Sequence, residues 1–118
     1  MRNYQKWEIT LLARRMAVDV YQRLQHFPPD ERFALCQQLR RASTSVGANI
    51  AEGGGRETAK DIARFLSQAI GSACEVEFLL LLSQDLGYIS DELRAPLSKQ
   101  LETLKHKIYR LRQKILTD

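Results

Sequence analysis

Glu52 and Glu75 are the carboxylates whose surroundings first suggest chemistry. Arg41, Ser45, Asn49, Glu52 and Arg56 recur every three or four residues, so on a helix they form one polar stripe. Arg64, Gln68, Ser72 and Glu75 repeat the pattern further along. Two carboxylates on neighbouring stripes can act as an acid–base pair or ligate a metal. Di-metal bundles, however, supply Glu-x-x-His from two helices, and the chain's two histidines, His26 and His106, stand in no such context. No Ser/His/Asp or Cys/His set is apparent either. These residues point to no catalytic centre, no metal, no cofactor and no small-molecule substrate. The stripes read instead as a hydrogen-bond network that fixes helix register.

The run Gly53-Gly54-Gly55, followed by Arg56, raises a second possibility, a phosphate loop. A P-loop needs a strand before it and Gly-Lys-Ser/Thr at its end, and a dinucleotide fingerprint needs G-x-G-x-x-G after a strand. Neither is present. Each glycine costs about 1 kcal/mol relative to alanine inside a helix, so the run reads as a turn between two helices. Cys36 and Cys74 are too few for a disulfide framework and lack metal spacing, so they read as small buried groups in a reducing compartment.

The third chemical feature is charge. The net +4 is concentrated at one end: residues 1–98 carry twelve bases and twelve acids. Lys99, Lys105, Lys107, Arg110, Arg112 and Lys114 then stand against only Glu102 and Asp118. A basic segment of this kind suits an anionic partner. The candidate nucleic-acid contacts are Arg40, Arg41, Lys105, Lys107, Arg110, Arg112 and Lys114. Among the helix 4 bases only Tyr109 could stack on a base, which favours structured RNA over sequence-specific reading of a single strand.

These residues need elements to hold them, and the periodicity supplies four helices and no strand. The first covers residues 9–26 and ends at Phe27-Pro28-Pro29. The second runs from about residue 30 to 51 or slightly beyond, with Phe33, Cys36, Leu39, Val46 and Ile50 on its buried side. The third starts at a capping box near Thr58 and stops at Gly87. The fourth is capped by Ser90, and its apolar residues, Leu93 to Ile115, recur at about 3.5 residues. Short turns between long helices predict one all-α domain, residues 1–118, an antiparallel up-down-up-down four-helix bundle. The opening residues resemble no signal peptide, and no apolar run approaches the roughly 20 residues of a membrane span, so the expected location is the cytoplasm. Residues 78–82, Phe-Leu-Leu-Leu-Leu, wrap the whole helix surface, which predicts an oligomer interface at Phe78, Leu80 and Leu81.

The segment Leu39-Arg40-Arg41-Ala42-Ser43-Thr44-Ser45-Val46-Gly47-Ala48-Asn49-Ile50-Ala51-Glu52-Gly53, then Arg56, resembles the hallmark motif of the small proteins encoded in intervening sequences of bacterial 23S rRNA genes. Phe65-Leu66-Ser67-Gln68-Ala69-Ile70-Gly71-Ser72-Ala73-Cys74-Glu75 resembles that family's second motif, and Leu86-Gly87-Tyr88-Ile89 the turn after it. The resemblance covers nearly the whole chain. It implies a four-helix bundle, a ring-shaped homopentamer and no enzyme activity, and reads Arg41, Ser45, Asn49, Glu52, Arg56, Ser72 and Glu75 as structural. By fold it is also similar to accessory proteins of diversity-generating retroelements, which bind nucleic acid. The functional expectation is a non-enzymatic oligomer that contacts structured RNA or other nucleic acid. The alternatives are a protein–protein scaffold and an enzyme centred on Glu52 and Glu75.

Overall fold

The structure, a computed structural model, describes Asn3 and residues 7–118; residues 1, 2 and 4–6 of the stretch inspected for a signal peptide lie outside the described residues. The helices are α1 (Glu8–Leu24), α2 (Leu35–Gly54), α3 (Ala59–Asp85) and α4 (Asp91–Thr117). Cross-helix contacts fix their directions. Arg41 meets Glu75 while Ser45 meets Ser72, so α2 and α3 are antiparallel. Ser67 meets Arg112 and Glu77 meets Lys105, which makes α3 and α4 antiparallel. Glu8 meets Lys107 and Asp19 meets Gln100, closing the bundle with α1 antiparallel to α4. Each helix packs on two neighbours, and among the described residues the diagonal pairs α1/α3 and α2/α4 do not pack. The up-down-up-down bundle expected from the periodicity is the fold.

The local signals explain the helix ends. Thr58 accepts a hydrogen bond from the Asp61 amide (3.1 Å) and Ser90 from the Leu93 amide (3.2 Å), so each satisfies an otherwise unpaired donor. After α3, Gly87 adopts φ +83°, the left-handed region that a side chain disfavours. The Gly87 amide then donates to Gln84 and the Tyr88 amide to Ser83, the Schellman arrangement. Met16, Leu39, Ile50, Leu66, Leu101 and Ile108 lie fully buried where the four apolar stripes meet.

Four expectations are corrected. The prolines open only a 3-10 turn, Pro29–Glu31, and α2 begins at Leu35, leaving Phe33 outside the helix and 79% exposed. Gly53 and Gly54 are not a turn but the buried last residues of α2. A Cβ on Gly53 would sit 3.1 Å from the Phe65 Cβ, so close packing of α3 outweighs the helix cost of glycine. Leu80 belongs to the core, not to an oligomer interface: α3 packs on both α2 and α4, and that wide arc buries Leu79 and Leu80 together. Phe78 and Leu81 do face outward, 63% and 48% exposed. Finally, α3 is long and apolar enough by composition to cross a membrane, although no single apolar run suggested it. In the bundle its apolar side meets α2 and α4, while Ser72 and Glu75 bond across to α2.

Candidate nucleic-acid interface

The seven bases read as one interface do not share a surface. Arg40 and Arg41 lie on α2, diagonal to α4, and both are engaged. Arg40 Nη2 donates to the Arg32 carbonyl (2.8 Å), and Arg41 Nη2 to Glu75 Oε2 (3.3 Å).

On α4 the bases divide. Lys105 Nζ lies 2.8 Å from Glu77 Oε1 and 2.9 Å from Glu102 Oε2. Burial opposes its charge, but the two carboxylates prevail and hold the ammonium above its ordinary range. The Lys105 hydrogen bond in turn lowers the Glu102 carboxyl. Lys107 pairs with Glu8 at 3.0 Å. Arg112 is laid across α3, with Nε donating to Ser67 Oγ (2.7 Å) and Nη1 to Gln113 Oε1 (2.8 Å). Arg110 and Lys114 are exposed and form no ion pair with a described residue.

Further cations come from α1, where the sequence gives no basic run. Arg14 and Arg15 are exposed and make no ion pair with a described residue, and the same holds for Lys99 on α4. Arg15 and Lys99 flank a groove of about 480 Å³ between α1 and α4, floored by Leu12 and Pro96. Its carboxylate, Asp19, accepts a hydrogen bond from Gln100 Nε2 (2.9 Å). By helix, α1 carries three bases against two acids and α4 seven against three, a net of +5 for the pair. In contrast, α2 carries two against one and α3 two against four, a net of −1. The positive field of the molecule is therefore concentrated on the α1–α4 half.

The motif residues fall on the opposite half and hold helices together. Ser45 Oγ and Ser72 Oγ lie 3.0 Å apart at the α2–α3 seam, and Asn49 Nδ2 donates to the Ser45 carbonyl (2.9 Å) and to Ser45 Oγ (3.2 Å). Arg56 Nη2 donates to Glu52 Oε2 (2.6 Å). Arg56 and Arg64 stack their guanidiniums on the Phe65 ring, 4.8 and 4.4 Å from its centroid. Glu52 and Glu75 each hold a different arginine, near opposite ends of the seam and roughly 15 Å apart along it. They are not placed to act as a pair. Tyr88 of the third motif donates to Glu31 Oε2 (2.8 Å), and that hydrogen bond raises the phenol above its ordinary range. Cys36 is buried, and burial pushes its thiol up; Cys74 is exposed rather than buried as expected. Among the described residues no three His, Cys, Asp or Glu side chains are grouped to hold a metal.

No curated protein matches the chain. A crystal structure of a protein of unknown function from the S23 ribosomal protein family of Bacteroides thetaiotaomicron VPI-5482 superposes with a TM-score of 0.79. The match covers 88% of this chain and 97% of that one, at 23% identity, and shows a shared fold. The family model described as 23S rRNA-intervening sequence protein matches residues 5–110, the span that holds the Arg41–Glu75, Ser45–Ser72 and Tyr88–Glu31 contacts. The chain belongs to the 23S rRNA-intervening sequence protein family.

Proposed function

We propose that this protein is a non-enzymatic, cytoplasmic, homo-oligomeric binding protein whose partner is structured RNA, contacted by the α1–α4 half. The observation that carries the reading is the distribution of unpaired cations. Among the described residues, the exposed helical cations that meet no acid are Arg14, Arg15, Lys99, Arg110 and Lys114 on α1 and α4, against Lys60 alone on α3, while the arginines of α2 and α3 are engaged by protein oxygens. A cation held by a carboxylate must give up that partner to take a phosphate, whereas an unpaired one releases only counterions from the RNA.

Assembly strengthens the field. Phe78 and Leu81 leave apolar surface on α3, on the half remote from α1. Copies joined there would each present a basic α1–α4 surface outward, and the homopentamer that the family resemblance implies would present five. The competing scaffold reading rests on the same exposed apolar side chains, with another polypeptide in place of a second copy.

Size-exclusion chromatography with light scattering distinguishes them. Nuclease-treated protein should run as an oligomer, take up total cellular RNA at low salt and release it at high salt. An oligomer that ignores RNA at every salt concentration contradicts the RNA reading and favours the scaffold.

A further inference from the structure

At the end of the basic half where α1 begins, Trp7 lines a cleft that the sequence alone does not reveal. Trp7, Glu8 and Ile9 come from the start of α1, and Lys107, Arg110 and Leu111 from the far part of α4. They line an open cleft of about 270 Å³, just below the about 300–1,000 Å³ of most ligand pockets, which suits one planar ring system laid against its wall. Its walls are an indole and two aliphatic side chains. Its polar groups are two cations and one acid, and Lys107 Nζ offsets Glu8 Oε1 at 3.0 Å. Arg110 has no acid among the described residues and leaves the pocket a net positive charge.

An aromatic face with cations beside it matches a nucleobase attached to phosphates. Bases inside a duplex are stacked and cannot enter, whereas loop or bulge bases can be splayed onto aromatic side chains. We infer that this pocket takes a single unpaired nucleotide of the bound RNA, the base against Trp7 and the adjoining phosphate toward Arg110. The inference rests on the proposed RNA reading and deepens it: the α1–α4 cations hold the backbone, and the pocket selects RNA with an extruded base.

Trp7 is the chain's single tryptophan, so its emission reports on this pocket alone. The probes are a hairpin RNA with an unpaired loop and a blunt RNA duplex with the same number of phosphates. Binding is followed by the anisotropy of a label on the RNA. The hairpin should bind more tightly than the duplex and quench Trp7 emission, and the duplex should bind without quenching. Trp7→Leu should weaken hairpin binding about tenfold, toward the duplex value, and Trp7→Phe should keep most of it. The emission measurement uses the unaltered protein, so it stands even if Trp7→Leu folds poorly. A hairpin that binds without changing Trp7 emission, or equally well to Trp7→Leu, overturns the pocket and leaves the electrostatic reading standing. Failure of both RNAs to bind overturns the two together.

Discussion

In the α2–α3 half Arg41 meets Glu75, Ser45 meets Ser72 and Arg56 meets Glu52. In the α1–α4 half Arg14, Arg15, Lys99, Arg110 and Lys114 meet no acid among the described residues. Both pairs of helices bury apolar stripes in one core, so hydrophobic burial does not distinguish them. What differs is the outward chemistry. Polar groups satisfied by one another fix a register and approach distance; polar groups left to solvent are available to a partner. The motif-rich surface is therefore the one that builds the bundle, and the surface free to bind is comparatively plain in sequence.

The largest effect expected from breaking this contrast is at Gly53. A leucine there must displace Phe65 across the close α2–α3 seam, and overpacking of this kind costs about 2 kcal/mol or more, read by urea unfolding. The same change at Gly71, where a Cβ meets nothing within 4 Å, should be neutral or stabilise by up to about 1 kcal/mol. Equal losses at both sites would show that proximity at Gly53 is not what its glycine serves. Next in size, Ser45→Ala removes the partner of Ser72 and one acceptor of Asn49 and should cost about 1 kcal/mol.

Tyr88→Phe should lower the melting temperature modestly at neutral pH, by loss of the Glu31 hydrogen bond. The phenol's folded-state pKa is raised, so its contribution is complete below its ordinary value of 10.0 and is lost as pH rises through the folded value. The difference in melting temperature between wild type and Tyr88→Phe should therefore shrink above pH 10. A constant difference would mean that Tyr88 acts by packing on Phe27 rather than through its hydroxyl. A small effect belongs to Arg64→Gln, whose exposed ion pair with Asp61 and stack on Phe65, a ring that Arg56 also covers, are together worth under about 1 kcal/mol.

Much of the fold was legible because its signals are local. Thr58, Ser90 and Gly87 mark helix ends by chemistry within four residues, and the apolar spacing of α4 announces its buried seam. The errors arose where a partner helix decides. Gly53 looks like a helix breaker until Phe65 is seen against it, and Leu80 looks like excess apolar surface until α3 is seen between two neighbours. The grouping of the cations is decided by partner helices in the same way. Arg110 and Lys99 stand out in a basic segment, but nothing local pairs Arg110 with Trp7 or Lys99 with Arg15, which the antiparallel packing of α1 on α4 brings together. A heptad register matched between residues 8–24 and 91–117 is the signal that could have found them.

The central claim is that the α1–α4 half, and not the motif-bearing half, holds RNA. Its most direct test is the slope of log affinity against log salt for one structured RNA, measured for the wild type and two double variants. Arg110→Gln/Lys114→Gln should flatten the slope by about two and weaken binding, because two phosphate contacts are lost. Arg41→Gln/Arg64→Gln, which removes the same charge from the other half, should leave slope and affinity near the wild-type values. An equal loss in both variants, or a loss confined to the second, would contradict the account.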